Sequence, residues 1–152
     1  MTDPLQAVDR LVAEISGADG RPADICALIH AIDTLMYAVH FVDADASETG
    51  PEAPRADYDQ TYETLKQRHA GLGYYWLALH SIIREGTEGE LAIGDAIDDL
   101  ADILIDLGEV RWIHEHADRR TALAALRARY DMHLWMHFHS LRQYLEEVKR
   151  DD

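Results

Sequence analysis

The sequence has too few cysteines for a disulfide-stabilised fold and no apolar run long enough to span a membrane. It contains one cysteine, Cys26, so no intramolecular disulfide can form, and the apolar helical stretch around Cys26 predicts a buried, inert thiol. Its apolar runs are far shorter than a transmembrane helix requires. The first residues are acidic and lack the basic and apolar segments of a secretory signal, so we expect a cytoplasmic protein.

Basic residues are also scarce, with 14 Lys and Arg against 29 Asp and Glu, which gives a formal net charge of −15 at pH 7. Such a charge repels nucleic acids and anionic membranes, so we expect neither as a partner. It is compatible with a metal ion or a cationic protein partner, and equally with a surface whose charge only keeps the protein soluble.

Strand-like alternation is rare, and apolar residues recur instead at the spacing of an α-helix. Asp3 and Pro4 are typical of a helix start, whereas the acidic, proline-containing residues 43–56 predict a loop. Residues 74–84 are interpreted as a short helix, with a short strand as the alternative. Two long helices are expected at roughly 90–116 and 118–149.

These elements predict one all-α domain over residues 1–152. Its architecture would be a single helical bundle of about five or six helices, in which the two long C-terminal helices are antiparallel.

A row of carboxylates marks the first long helix. At about 100° per residue, one stripe holds six acidic side chains, and apolar side chains occupy the opposite side. The pattern predicts an amphipathic helix with an acidic surface. Because neighbouring carboxylates repel each other, the row favours a counter-charge from a metal ion, a cationic partner or the arginines of the next helix. The acidic residues are Asp95, Asp98, Asp99, Asp102, Asp106 and Glu109, and the arginines are Arg119, Arg120, Arg127 and Arg129.

Stacked carboxylates also occur in all-α nucleotide pyrophosphatases, in which two acidic helices hold Mg²⁺. Here Glu146 and Glu147, near the end of the sequence, would have to supply the second acidic helix. No set of basic residues for the phosphates is evident, but a carboxylate- and Mg-dependent pyrophosphatase stays open as an alternative.

The last helix carries two histidines on one face, because His133 and His137 are four residues apart. Such a pair suits a divalent transition metal, or it is two neutral core histidines bonded to tyrosine or backbone. A metal needs a third ligand, for which His40 is the candidate. The three histidines would resemble the site of the damage-inducible helical-bundle metalloproteins. The carboxylate row is expected to point away from the core and to be separate from this site.

The same helix has a second apolar patch on its other side, formed by Met132, Trp135, Met136 and His139. A helix that is apolar all round needs a cover, which either the same chain or a second subunit supplies. Trp and Met are favoured at interface cores, so we expect a homodimer through this patch.

Three segments occur in order, LGYYW (72–76), GDAIDDLADI (94–103) and HLWMH (133–137). Together they resemble an uncharacterised bacterial family, a domain of unknown function, over roughly residues 58–148. The resemblance implies a compact helical fold and a bacterial source, and it assigns no catalytic residue. The sequence departs from the family at Leu134, which separates a His and a Trp that lie closer together there.

The leading interpretation is therefore a non-catalytic, homodimeric interaction or accessory domain with an acidic surface. The alternatives are a metal-binding helical bundle using His133 and His137, with His40, and the all-α pyrophosphatase.

Overall fold

A computed structural model describes residues 1–43 and 50–152. Over this part of the chain the expected all-α bundle is confirmed, with one small hairpin added. Residues 44–49 of the predicted loop lie outside the described residues, and residues 50–56 form neither helix nor strand. The elements are α1 (Pro4–Ser16), α2 (Ile25–Val39), α3 (Tyr58–Arg68), β1 (Tyr74–Ala78), β2 (Leu91–Asp95), α4 (Ala96–His116), α5 (Arg119–Arg129) and α6 (Trp135–Asp151).

Aspartates begin most of these helices by capping them. At the start of α1, for example, the Asp3 carboxylate accepts a hydrogen bond from the Leu5 backbone N–H at 2.9 Å. Such a cap satisfies a backbone donor that has no partner within the helix, and it stabilises a helix by about 1 kcal/mol. The capping residues are Asp3, Asp24, Asp57, Asp95 and Asp118.

Helix α4 is the central element of the bundle. It packs against α1, α3, α5 and α6, and its apolar side chains meet those of α1, α2 and α6 in one core. Because neighbours cover most of its circumference, the polar side of α4 also faces protein. The largest fully buried side chains include Leu11, Ile15, Ile32, Leu35, Leu100, Ile103, Leu107, Phe138 and Leu141.

The prediction of a short helix at residues 74–84 is wrong, and the alternative of a strand is right for part of it. Strands β1 and β2 pair antiparallel, with Trp76 opposite Ile93, as alternating aromatic and apolar residues favour. Gly94 lies directly beneath the Tyr75 ring, which would collide with any Cβ at that position. The helix expected from residue 90 therefore begins only at Ala96.

The long C-terminal helix is continuous but contains one turn of π-helix, Tyr130–Leu134, between α5 and α6. A π turn inserts one residue into the helical repeat and is common at functional sites. The extra residue rotates all later side chains about the helix axis. His137 therefore points in a different direction from the one that regular α-helical spacing predicts from α5.

The structure bears on two sequence expectations, the burial of the Cys26 thiol and the lack of a membrane-spanning helix. Cys26 is exposed, so the prediction of a buried thiol is wrong. It lies on the solvent side of the first turn of α2, whereas Leu28 of the same turn is buried. Within the described residues, no helix combines the length and the apolar character that crossing a membrane requires.

Candidate metal centre

The carboxylate row of α4 faces the histidines of the C-terminal helix. Asp99, Asp106 and Glu109 are buried, with 6%, 6% and 8% of their surface exposed. The predicted acidic surface is therefore wrong for these three residues. The expectation that the row and the histidines are separate is wrong as well, because α4 is covered on its polar side too.

Each histidine is held by one buried carboxylate of α4. The Nδ1 atom of His137 lies 2.6 Å from Oδ1 of Asp99, and Nδ1 of His133 lies 3.1 Å from Oδ2 of Asp106. A carboxylate can only accept at these distances, so each ring donates its Nδ1–H. In a neutral ring the lone pair is then on Nε2, which is the arrangement found in carboxylate–histidine–metal triads.

The two Nε2 atoms converge on a third carboxylate. They lie 2.9 Å from each other, and Oδ2 of Asp102 is 3.4 Å from that of His137 and 3.9 Å from that of His133. In the triangle that these distances define, one point lies about 2.0 Å from all three atoms, the length of zinc–nitrogen and zinc–oxygen bonds. Within residues 1–43 and 50–152, no other three His, Cys, Asp or Glu residues converge in this way.

The electrostatics of the site favour a cation. Burial raises the pKa of Asp102 above its usual value, and repulsion by Asp98 adds to the rise. Burial lowers the pKa of His137, but the hydrogen bond and charge of Asp99 outweigh it and leave the pKa raised. Neighbouring carboxylates contribute to both rises in pKa, and a bound cation would neutralise their charge.

Tyrosine hydroxyls complete the shell around these carboxylates. Tyr75 on β1 donates its hydroxyl to Oδ2 of Asp99 at 2.5 Å, and its ring stacks on Tyr144 of α6 at 5.1 Å between centroids. Burial, with the negative charge of Asp99, raises the pKa of Tyr75, so the phenol stays protonated and remains a donor. The chain Tyr75–Asp99–His137 thus fixes the orientation of one imidazole.

Two further tyrosines, both on α3, donate hydrogen bonds to carboxylates at the start of α4. Tyr62 donates its hydroxyl to Oδ2 of Asp95 at 2.7 Å, and Tyr58 donates to Asp98. Burial and the carboxylate raise the pKa of Tyr58, and the hydrogen bond to Asp95 does most to raise that of Tyr62. These neutral donors reduce the repulsion along the row without adding charge.

Arginines neutralise the other end of the row. NH1 of Arg55 lies 3.0 Å from Oε1 of Glu109 and 3.4 Å from Oδ1 of Asp106. Arg129 binds Oε2 of Glu109 through Nε at 3.2 Å and NH2 at 2.9 Å. Asp106 therefore bridges Arg55 and His133, which links the metal centre to this ion-pair cluster.

The sequence analysis identified only some of the arginines that pair with the carboxylate row. Arg129 was among the expected arginines, whereas Arg119 pairs with Asp3 and Arg127 with Asp131. Arg55 was missed, because it lies in the predicted loop and no periodicity connects it to α4.

His40, the expected third ligand, does not join the site. It is exposed at the end of α2, and its ring contacts the edge of Tyr130 at 6.0 Å between centroids. Glu146, expected to help form a second acidic helix, is instead paired with Arg142 at 2.7 Å and Arg150 at 2.9 Å. Asp102, and not His40, lies beside the two histidines.

The apolar patch on the C-terminal helix is exposed at all four of its residues, Met132, Trp135, Met136 and His139. Within residues 1–43 and 50–152, the alternative of a cover from the same chain is therefore wrong. The homodimer through this patch stays a prediction.

Comparisons with known proteins show a likeness in fold. No family model matches the chain, and no curated protein does. Among solved structures, the chain is similar to protein BF1032 from Bacteroides fragilis, with a TM-score of 0.70 over 96% of this chain and 89% of that one. At 13% sequence identity this likeness shows a shared fold alone.

Proposed function

We propose that this protein binds one divalent transition-metal ion through Asp102, His133 and His137. The observation that carries the proposal is the meeting of three ligand atoms around one point at bonding distance. Support comes from Asp99 and Asp106, which occupy the Nδ1 atoms and leave both Nε2 atoms free to bind.

The ligand set indicates which ions fit. Two imidazoles and one carboxylate suit Zn²⁺, Fe²⁺ or Ni²⁺, whereas Mg²⁺ prefers oxygen ligands alone. The carboxylate-only pyrophosphatase has less support for this reason, and because the other acidic residues of the carboxylate row are bonded to tyrosines and arginines. The interaction domain with a free acidic surface is weakened by the same contacts.

Three protein ligands leave a coordination position open, which is typical of catalytic rather than structural zinc sites. A metal ion held there would polarise a substrate oxygen or lower the pKa of a bound water. The chain's own residues would orient the ion and handle protons. Asp98 lies one helical turn from Asp102 and accepts a hydrogen bond from Tyr58, so its carboxylate is held close to the site without being one of the three ligands.

Elemental analysis of the full chain, purified without chelator, tests the proposal. We expect close to one equivalent of a transition metal per chain, and its loss in His133→Ala and His137→Ala. His139→Ala is the matched control, because His139 lies on the same helix outside the site and should leave the metal content unchanged. Equal metal content in all four proteins would overturn the proposal.

A further inference from the structure

The outer face of the hairpin is a bare apolar surface. Tyr74, Trp76, Leu91 and Ile93 alternate outward along β1 and β2, and their exposed fractions are 72%, 74%, 68% and 67%. The inner face carries Tyr75, which packs against Tyr144 and bonds Asp99. A two-stranded sheet with one face unpacked is marginally stable by itself, so an apolar cover would benefit the whole hairpin.

We infer that a second copy of this chain covers the hairpin face, so that two hairpins pack against each other about a two-fold axis. The rings of Tyr74 and Trp76 offer about 150–250 Å² each, and with Leu91 and Ile93 the four outward residues present on the order of 500 Å². Two such faces packed together would bury on the order of 1,000 Å² in total, which is the size at which a specific protein interface begins.

Charge does not oppose a second copy at this face. The four outward residues are uncharged, although the chain as a whole carries a net charge of −15, and the acidic residues Glu85, Glu88 and Glu90 lie in the segment that connects the strands. Two copies can therefore meet at this face with little repulsion, while their acidic surfaces stay apart. An anionic membrane is repelled by the rest of the molecule.

The pairing of Trp76 with Ile93 places both side chains at the centre of the hairpin. A two-fold interface brings the same patch of both subunits together, so a charge at this position meets its own copy nearby. The inferred interface differs from the one expected on the C-terminal helix, and one residue from each patch can separate them.

Light scattering coupled to size exclusion tests the inference on the full chain. We expect a mass near twice 17.2 kDa, and a monomer with unchanged helical circular dichroism for Trp76→Glu and for Ile93→Glu. Met132→Glu, which places the same charge on the C-terminal helix, should remain dimeric. Mixing Trp76→Glu with Trp76→Lys should restore the dimer, because opposite charges then meet across the axis.

Three results would overturn the inference. The first is a wild-type monomer, including one that sediments with neutral phosphatidylcholine vesicles through Trp76, because the occupant would then be a lipid surface. The second is a dimer that Met132→Glu dissociates and Trp76→Glu does not. The third is a pair of Trp76 charge variants that stay monomeric when mixed. None of these results depends on whether the protein binds a metal.

Discussion

The Nε2 atoms of His133 and His137 lie 2.9 Å apart, although the Nδ1 atom of each ring already faces a carboxylate. Two neutral rings in these orientations would point lone pairs at each other. A cation between them removes this conflict, and it is either a shared proton or a metal ion. The carboxylate of Asp102, which lies near both atoms, provides a metal ion with a third ligand.

Replacing the carboxylates behind the histidines should weaken metal binding without removing a ligand. We expect Asp99→Asn and Asp106→Asn each to lower the affinity for Zn²⁺ by roughly 10- to 100-fold, the usual effect of losing such an outer partner. Competition with a chromophoric chelator measures the change. Asp33→Asn is the control, because Asp33 pairs with Arg142 away from the site; an Asp99 variant that binds like this control would contradict the assignment.

Asp102 should stabilise the bound ion at the expense of the metal-free fold. Its pKa is raised, so the ionised carboxylate is less stable in the folded than in the unfolded chain, and at neutral pH its charge lowers the free energy of unfolding. We expect Asp102→Asn to abolish tight metal binding and to raise the stability of the metal-free protein by a few tenths of a kcal/mol. Denaturant titration after chelation checks the second effect, and a clear loss of stability would oppose it.

The ion pairs around Glu109 should matter for folding. Arg129→Ala removes two hydrogen bonds to a buried carboxylate, and we expect it to lower the free energy of unfolding by about 1–2 kcal/mol. Arg150→Ala removes an exposed pair with Glu146 and should cost at most about 1 kcal/mol. Urea denaturation of both variants gives the comparison, and equal losses would mean that the cluster adds nothing to an ordinary surface pair.

A buried histidine far from the metal centre should make stability depend on pH. His69 Nε2 donates to the Ile15 carbonyl at 2.8 Å, and burial lowers the pKa of His69 below its ordinary value of 6.5. As the pH falls below 6.5, the unfolded chain takes up this proton more readily than the folded one, so the folded state loses stability.

We expect His69→Gln to lack this loss. The difference in free energy of unfolding between the wild type and His69→Gln should therefore shrink as the pH is lowered from 7.5 through about 5. Gln67→Ala, at an exposed residue of α3 whose side chain does not titrate, is the control and should differ from the wild type by a constant amount. A constant difference for His69→Gln as well would show that its burial does not affect its proton.

The sequence predicted the bundle because helical periodicity is a local property, and it predicted His133 and His137 for the same reason. The sequence did not predict the burial of the carboxylate row, because that burial depends on which elements pack against α4. A row of carboxylates opposite apolar residues is typical of a solvated helix face, yet here Tyr75 and Arg55 approach from a hairpin and a loop. Neither of these contacts can be predicted from the spacing of residues along the chain.

One signal in the sequence could have joined the two halves of the site. Asp99, Asp102 and Asp106 follow each other at three and four residues, and so they share a face as the two histidines do. Placing these faces together on antiparallel helices would have given the carboxylate ligand in place of His40. The π turn at Tyr130–Leu134 is not foreseeable in this way, because it depends on tertiary packing.

Titration of chelated protein with Co²⁺, a spectroscopic substitute for Zn²⁺, tests the central claim most directly. We expect visible absorption that saturates at one equivalent per chain, that Zn²⁺ abolishes on addition, and that His133→Ala, His137→Ala and Asp102→Asn each lack. His139→Ala should give the wild-type titration. Absence of a saturable signal in the wild-type protein, or an unchanged signal in all three ligand variants, would contradict the account.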